Sequence, residues 1–294
     1  MFTSYEVARI NEHRQALATS ELVDGRLLAA AGMDGVVSVW DTHTGKVLNR
    51  FTDHKSSVHS VAMSPNYHIL ASGGDDHRVI LRNLDTGLVK ILEGHTSRVP
   101  SVAFDPSGHW LASCSMDGSV RLWDVSTGDL LKVYMFDDRF HALSFSPDGD
   151  TIAVGGENQH VILINSKTGG RSVLEDESGV IFSLAFGPDG RVLVSGDKLG
   201  NLSLWDVDRK TRLTRFPKHQ SMIVGIAISP DGRSMASCSS GHSPEIRYWD
   251  LAGLAPYIAG NLEYPADRFT KTHGKKPANL DAMRRWADET RRTD

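Results

Sequence analysis

Three groups of side chains in this 294-residue sequence could do chemistry. Aspartates recur as Asp148, Asp189 and Asp231, and paired carboxylates are the groups that general acid–base catalysis uses. Thirteen histidines could supply metal ligands. The two cysteines, Cys114 and Cys238, could act as nucleophiles or redox groups. Each possibility has to be weighed against the element that would hold the residue.

The aspartates have a simpler structural explanation. Each lies in an SPDG-like turn, where a short polar side chain bonds its own backbone, so we interpret all three as turn residues. The histidines are scattered, and the P-loop, HExxH, CxxC and GxSxG patterns are missing from the sequence. The sequence therefore predicts a protein that is not an enzyme and has no metal site and no cofactor.

The turns belong to a repeat. An Asp or Asn closes an alternating apolar strand at intervals of 41 to 44 residues, at Asp41, Asn83, Asp124, Asn165, Asp206 and Asp250. The prolines of the turns keep the same period, at Pro65, Pro106, Pro147, Pro188 and Pro230. In the best copy, residues 95–134, turns separate four short strands at 99–104, 110–115, 119–124 and 130–135. Such a unit predicts one blade of a β-propeller, because a single sheet cannot bury both of its faces alone.

Composition agrees with this class of fold. The chain is 40% apolar and 23% charged, and its 27 glycines favour many turns. A net charge of -4 gives no general attraction to nucleic acid or to an anionic membrane. No run of 18 apolar residues occurs, and the N-terminus mixes charges of both signs, so the sequence predicts a soluble, cytoplasmic protein without membrane contact.

The repeats resemble the WD-repeat β-propeller family over about residues 5–250. The resemblance implies a hydrogen-bonded tetrad, complete in the third repeat as His95, Ser113, Asp117 and Trp123. Other repeats depart from it: the first has Ala30 at the Ser position, the second Arg82 at the Trp position and the fifth Leu199 at the Asp position. The fourth keeps none of the tetrad and has Val154, Asn158 and Ile164 instead. We expect apolar packing to hold that blade together.

The cysteines fall at equivalent positions on the second strands of blades three and six. Those blades lie on opposite sides of a six-fold ring, which excludes a disulfide between Cys114 and Cys238. We interpret both residues as small apolar fillers.

We predict an all-β fold, a six-bladed WD-repeat β-propeller spanning residues 1–259, with seven blades as the alternative. The family resemblance implies that a terminal strand completes the last sheet, and residues 5–10 and 251–259 compete for that place. Residues 260–294 are predicted to form a basic tail with a helix at about 279–292, in which Leu280, Met283 and Ala287 recur at helical spacing and Trp286 lies next to them. Three alternatives stay open for the tail: a solvated appendage, a helix docked on the propeller, and a helix that binds another protein.

The family resemblance also implies a binding face near the start of the innermost strands. The residues that flank the first inward residue of each strand are Ser57, His59, Arg98, Pro100, Arg139, His141, Val180, Phe182, Met222 and Val224. Arg98, Arg139 and His141 form a cationic sector, and the last four form an apolar one. This pairing suits a partner with an apolar anchor beside an acidic residue. Alternatively, Val180, Phe182 and Val224 turn inward and line the channel.

These residues predict a noncatalytic scaffold or adaptor that binds a protein or peptide partner within a hetero-complex. The propeller face would supply the contact, with the C-terminal helix as a second one. The alternatives are a sensor or regulatory subunit of a larger enzyme complex and a metal-dependent hydrolase that uses the channel. Nucleic acid is not the expected partner, because Asp281, Asp288 and Glu289 interrupt the basic cluster of the tail.

Overall fold

The computed structural model describes residues 17–23, 27–175, 179–241 and 244–251. Within these residues the chain forms twenty-three strands and no helix, arranged as six antiparallel sheets of consecutive strands. The all-β, six-bladed prediction is confirmed. The closing strand at 5–10, residues 252–259 of its rival and the helix at about 279–292 lie outside the described residues.

The strands of the first three blades follow one another in sequence, with the innermost strand first. They are β1 (Leu17–Val23), β2 (Leu27–Gly32), β3 (Val37–Asp41) and β4 (Lys46–Phe51) in blade one; β5 (Val58–Met63), β6 (Ile69–Gly74), β7 (Val79–Asn83) and β8 (Val89–Leu92) in blade two; and β9 (Ser101–Phe104), β10 (Trp110–Cys114), β11 (Ser119–Asp124) and β12 (Leu130–Met135) in blade three.

The last three blades repeat this order. Their strands are β13 (Phe140–Phe145), β14 (Thr151–Gly156), β15 (His160–Asn165) and β16 (Arg171–Glu175) in blade four; β17 (Ile181–Phe186), β18 (Val192–Asp197), β19 (Leu202–Asp206) and β20 (Thr211–Phe216) in blade five; and β21 (Ile223–Ile228), β22 (Ser234–Ser239) and β23 (Ile246–Asp250) in blade six. Within the described residues blade six therefore has three strands.

The apolar core lies between neighbouring blades. Each innermost strand lies beside the innermost strand of the next blade, from β1 through to β21. Because side chains alternate along a strand, Val120 and Leu122 on β11 face blade four, whereas Trp123 faces blade two. Burying one such side chain stabilises the fold by about 1.5–3 kcal/mol relative to leaving it exposed.

In blade three the four tetrad residues form one chain of hydrogen bonds. Trp123 Nε1 donates to Ser113 Oγ at 2.8 Å, and Ser113 Oγ lies 2.8 Å from His95 Nε2. His95 Nδ1 lies 3.0 Å from Asp117 Oδ2, and since a carboxylate only accepts, Nδ1 carries the proton. Burial raises the pKa of Asp117, but hydrogen bonds from His95, Ser119 and Thr96 outweigh it and hold that pKa well below its ordinary value.

The hairpin that presents Asp117 requires glycine at the next position. Gly118 has a φ of +82°, and a Cβ there would lie 2.6 Å from the carbonyl oxygen of Phe136. Any other residue would be strained and would clash with the backbone.

The incomplete tetrad of blade two is compensated locally. His54 still contacts Ser72 at 2.8 Å, while Arg82, at the Trp position, lies over the ring of Phe51 at 4.2 Å and donates to Asp53. In blade six, the carboxylate of Glu245 lies 3.4 Å from His219 Nδ1, but that nitrogen makes no hydrogen bond to a described residue. The sequence did not single out Glu245 because the longer hairpin moves it out of the repeat register.

Candidate partner-binding site at the channel mouth

On each innermost strand from blade two to blade six, one residue comes just before the first residue whose side chain points inward. A backbone hydrogen bond that recurs from blade to blade holds this preceding residue in place. The carbonyl oxygens of these residues accept bonds of 2.8 to 3.1 Å from backbone N–H groups just past the end of the second strand of the same blade. The acceptors are Ser57, Arg98, Arg139, Val180 and Met222, and the donors, in the same order, are Asp75, Met116, Glu157, Lys198 and Ser240. We call these ten residues the rim.

The residue that follows the first inward residue is oriented by a β-bulge in four of these blades. Register shifts interrupt the first pair of strands in four blades, at the positions of His59, His141, Phe182 and Val224. A bulged residue is left out of the ladder and its side chain is redirected. In blade three Pro100 holds this place, immediately before the first strand begins at Ser101. The bulges thus turn side chains of the innermost strands towards the mouth.

Below the mouth lies a central channel of about 1040 Å³. Its described lining comes mainly from the innermost strands of blades two to six, including Pro100, His141, Phe182 and Val224, and also from the second and third strands of blade six. The alternative in which apolar residues line the channel therefore applies to two of its three residues, and partner binding by the sector stays a prediction. Phe182 and Val224 line the channel, and Val224 is also exposed, whereas Val180 is a half-buried rim residue.

The cationic sector carries acids that sequence reasoning did not identify. Asp75 accepts from His59 Nε2 at 2.7 Å and lies 3.4 Å from Arg98 Nε. Glu157 lies 3.9 Å from Arg139 and 4.0 Å from His141. The sector is therefore a mixed one, in which each arginine has a carboxylate beside it.

The two arginines keep most of their donors for another molecule. The side chains of Arg98 and Arg139 are 53% and 64% exposed. A guanidinium has five N–H donors, and these long contacts with Asp75 and Glu157 use few of them. Burial lowers the pKa of His141, and the nearby charges of Arg98 and Lys198 lower it further, against the opposing effect of Glu157. His141 is therefore mainly neutral at pH 7, and the arginines carry the fixed charge.

His141 links the two sectors. Its ring lies 4.4 Å from the ring of Phe182, centroid to centroid, with the planes 30° apart. The neutral imidazole thus extends the apolar surface of Phe182 towards the arginines. Together they offer an apolar patch with charged donors at its edge.

The acids and the lysine of the rim could have been found from the repeat. Asp75, Met116, Glu157 and Lys198 recur every 41 residues, each one residue before the hairpin position that Asp117 occupies in blade three. These residues follow the second strand, so the register of the innermost strands alone does not indicate them.

The rest of the described structure offers little for covalent or metal chemistry. Cys114 is a buried free thiol and Cys238 a half-buried one, and burial raises the pKa of both, which keeps the thiols protonated. Among the residues that the structure describes, no three His, Cys, Asp or Glu lie close enough together to hold a metal ion. The search of the same residues found no helix that could span a membrane.

Comparison with known proteins gives a match over most of the chain. The family model described as the IFT122 first beta-propeller matches residues 19–254. Shorter similarities include eukaryotic translation initiation factor 3 subunit I of Aspergillus terreus, 39% identical over 71 residues, which is 24% of this chain and 21% of the relative. Protein HIR1 of Gibberella zeae is 38% identical over 73 residues, covering 21% of this chain and 7% of the relative. Each of these two relatives is thus matched over less than a quarter of its length.

The repeat period, the six sheets and the tetrad of blade three agree with the family match. The chain belongs to the WD-repeat β-propeller family, and within it to the family described as the IFT122 first beta-propeller.

Proposed function

We propose that this protein is a noncatalytic scaffold that holds a protein or peptide partner at the mouth of its channel. The propeller fold and the WD-repeat relatives support a general role as a protein-interaction scaffold. The observation that carries the specific site is that the exposed pair Arg98 and Arg139 lies at the same mouth as the bulged residues Phe182 and Val224, all held on a backbone that is already fixed.

The chemistry of the mouth selects the kind of partner. An aromatic or aliphatic side chain would enter beside Phe182 and Val224, where the channel gives it space. A neighbouring Asp or Glu of the partner would accept from the guanidinium of Arg98 or Arg139, and such charge-assisted bonds are stronger than neutral ones. Asp75 and Glu157 would repel a carboxylate placed away from the arginines, so the surface favours one register of binding.

A role as one subunit of a larger complex is the second candidate. It is favoured by the name of one relative, subunit I of eukaryotic translation initiation factor 3, which is itself a subunit. A channel-based hydrolase has no comparable support. Asp105 is the one carboxylate among the described residues that line the channel, and its Oδ1 accepts from the Trp110 backbone N–H at 2.7 Å.

The test is recovery of partners with a tagged full-length protein. Proteins that co-purify at native abundance are identified by mass spectrometry, and recovery is then compared for Phe182→Ala and Arg98→Glu. Each change should weaken binding about 30-fold or more, because residues at the centre of an interface contribute about 2 kcal/mol or more.

Two matched controls lie away from the mouth. Leu88→Ala removes an exposed apolar side chain immediately before the outer strand of blade two, and Arg191→Glu reverses an exposed charge in the turn at the other end of blade five. Both should keep the partner. Full recovery with Phe182→Ala and Arg98→Glu would exclude the mouth as the binding site.

A further inference from the structure

The excess positive charge of the rim lies at Lys198. Three cations and two acids give the ten rim residues a net charge of +1, and they are Arg98, Arg139 and Lys198, and Asp75 and Glu157. Asp75 lies 3.4 Å from Arg98 Nε. Glu157 lies 3.9 Å from Arg139. Opposite charges at such distances largely cancel for an approaching molecule. Lys198 is exposed and forms no ion pair with a residue that the structure describes, so its charge is not cancelled in this way.

The carboxylate that precedes Lys198 in the chain is engaged elsewhere. Asp197 is 2% exposed, and it accepts from the backbone N–H groups of Leu199 and Asn201 at 2.9 and 2.8 Å. The side-chain amide of Asn201 donates to it at 2.7 Å. Asp197 thus holds the hairpin of blade five together. The backbone N–H of Lys198 donates to the carbonyl oxygen of Val180 at 2.8 Å, so the lysine side chain starts from a fixed point on the rim.

Lys198 and Arg98 lie on the two blades that neighbour His141. Arg98 belongs to blade three, His141 to blade four and Lys198 to blade five. Burial lowers the pKa of His141, and the charges of both cations lower it further, which shows that both lie near its ring. That ring lies 4.4 Å from the ring of Phe182. The apolar patch of His141 and Phe182 therefore has one cation from blade three and another from blade five beside it.

We propose that the mouth selects a partner segment with two acidic residues, one on each side of its apolar anchor. The anchor enters beside Phe182, the first acid accepts from Arg98 or Arg139, and the second acid accepts from Lys198. An ammonium group is a compact charge with three donors, so it binds a carboxylate without demanding one orientation. A basic residue at the second position meets an uncancelled like charge, which excludes it. This inference rests on the function proposed for the mouth and adds the second acid to it.

Selection from a random library of short peptides displayed on phage tests the motif with the immobilised full-length protein. Peptides that also bind the Phe182→Ala variant are discarded, since they do not use the mouth. The wild type should enrich peptides with Asp or Glu on both sides of an aromatic or aliphatic residue. Lys198→Glu should change one of these two acids to Lys or Arg and keep the anchor and the other acid. Arg191→Glu, an exposed charge at the other end of the same blade, is the matched control and should return the wild-type motif.

Fluorescence anisotropy with a labelled peptide of the enriched sequence measures the contact itself. Lys198→Gln should weaken binding about five-fold, the upper size for an exposed ion pair. Replacing the second acid of the peptide by its amide should weaken binding equally, and both changes together should cost no more than either one. Additive losses, or enriched peptides with a single acid, would overturn the inference and leave the proposed function intact. If no enriched peptide depended on Phe182, the proposed function itself would be contradicted.

Discussion

Blades three and four build the same sheet with different chemistry at the same four positions. Blade three uses the hydrogen-bonded chain of His95, Ser113, Asp117 and Trp123. In blade four the corresponding residues are Phe136, Val154, Asn158 and Ile164, and Val154 and Ile164 are completely buried. Both blades nevertheless make the same rim bond, at 3.1 Å from Met116 to Arg98 and at 3.1 Å from Glu157 to Arg139.

Aromatic packing takes the place of the tetrad in blade four. The ring of Phe136 meets that of Phe140 edge-on at 5.2 Å, and the guanidinium of Arg171 lies 4.1 Å from the centroid of Phe136. The comparison shows that the tetrad satisfies the buried donor of Trp123 and does not by itself create the blade. Blade four has Ile164 in place of the tryptophan, so it has no indole N–H that needs an acceptor at this position. Apolar contacts are then sufficient to hold the strands together.

Phe140→Ala should produce the largest effect, because the ring is completely buried between blades three and four. Truncating a buried Phe costs about 3–5 kcal/mol through lost burial and the cavity that remains. Urea denaturation measures the change in the free energy of unfolding, and Phe140→Leu, which keeps most of the volume, should lose less. A loss below about 1 kcal/mol for Phe140→Ala would show that aromatic packing does not hold blade four.

Comparison of Asp117→Ala with Asn158→Ala tests whether the hydrogen bonds of the tetrad stabilise blade three. Removing the Asp117 carboxylate takes away the acceptor shared by His95, Thr96 and Ser119 and leaves His95 Nδ1 with Ser119 Oγ at 3.1 Å as its neighbour, which costs about 1–3 kcal/mol. Asn158 is exposed, so its replacement should change stability by no more than about 0.5 kcal/mol. Thermal melting of the two variants side by side measures the difference. Equal melting temperatures would mean that the tetrad contributes nothing beyond packing.

A further expected effect is a pH dependence that arises from the tetrad histidines, for which blade four has Phe136 at the corresponding position. Burial, assisted by the charge of Arg247, lowers the pKa of His219 to about 4, against about 6.5 in an unfolded chain. The unfolded state therefore binds the proton first, and stability should fall as the pH drops from 6.5 towards 4, with no change from this group above that range. Burial also lowers the pKa of His95, so it acts in the same direction.

Urea denaturation between pH 7.5 and 4.5 measures this slope. His219→Gln, which cannot be protonated, should lose less stability than the wild type as the pH falls. Phe136→Leu changes the corresponding position of blade four and should keep the wild-type slope. An identical slope in His219→Gln would contradict the assignment of the effect to blade six.

The periodic features of the molecule could be predicted from the sequence, and the exceptions could not. The six closing residues from Asp41 to Asp250 were sufficient to predict six blades, because the turn residues and strand alternation recur with the same period. The complete tetrad was implied by its residue types. Substitutes such as Phe136 and Glu245 were missed, since one differs in chemistry and the other is out of register.

For the candidate site, the repeat placed the ten flanking residues in register with the innermost strands. It did not indicate which of them are bulged, because a bulge depends on how two strands pair and leaves no mark in the alternation of one strand. The pairing of Arg98 with Asp75 joins two blades and likewise follows only from the folded ring.

The five backbone hydrogen bonds of the rim have a consequence for the thermodynamics of recognition. At the proposed site, a partner would meet main chain that folding has already immobilised, so the entropy lost on association would come mostly from the side chains of Arg98, Arg139 and their neighbours. Ligand affinity can then be retuned by exchanging these few side chains while the β-framework beneath them stays unaltered.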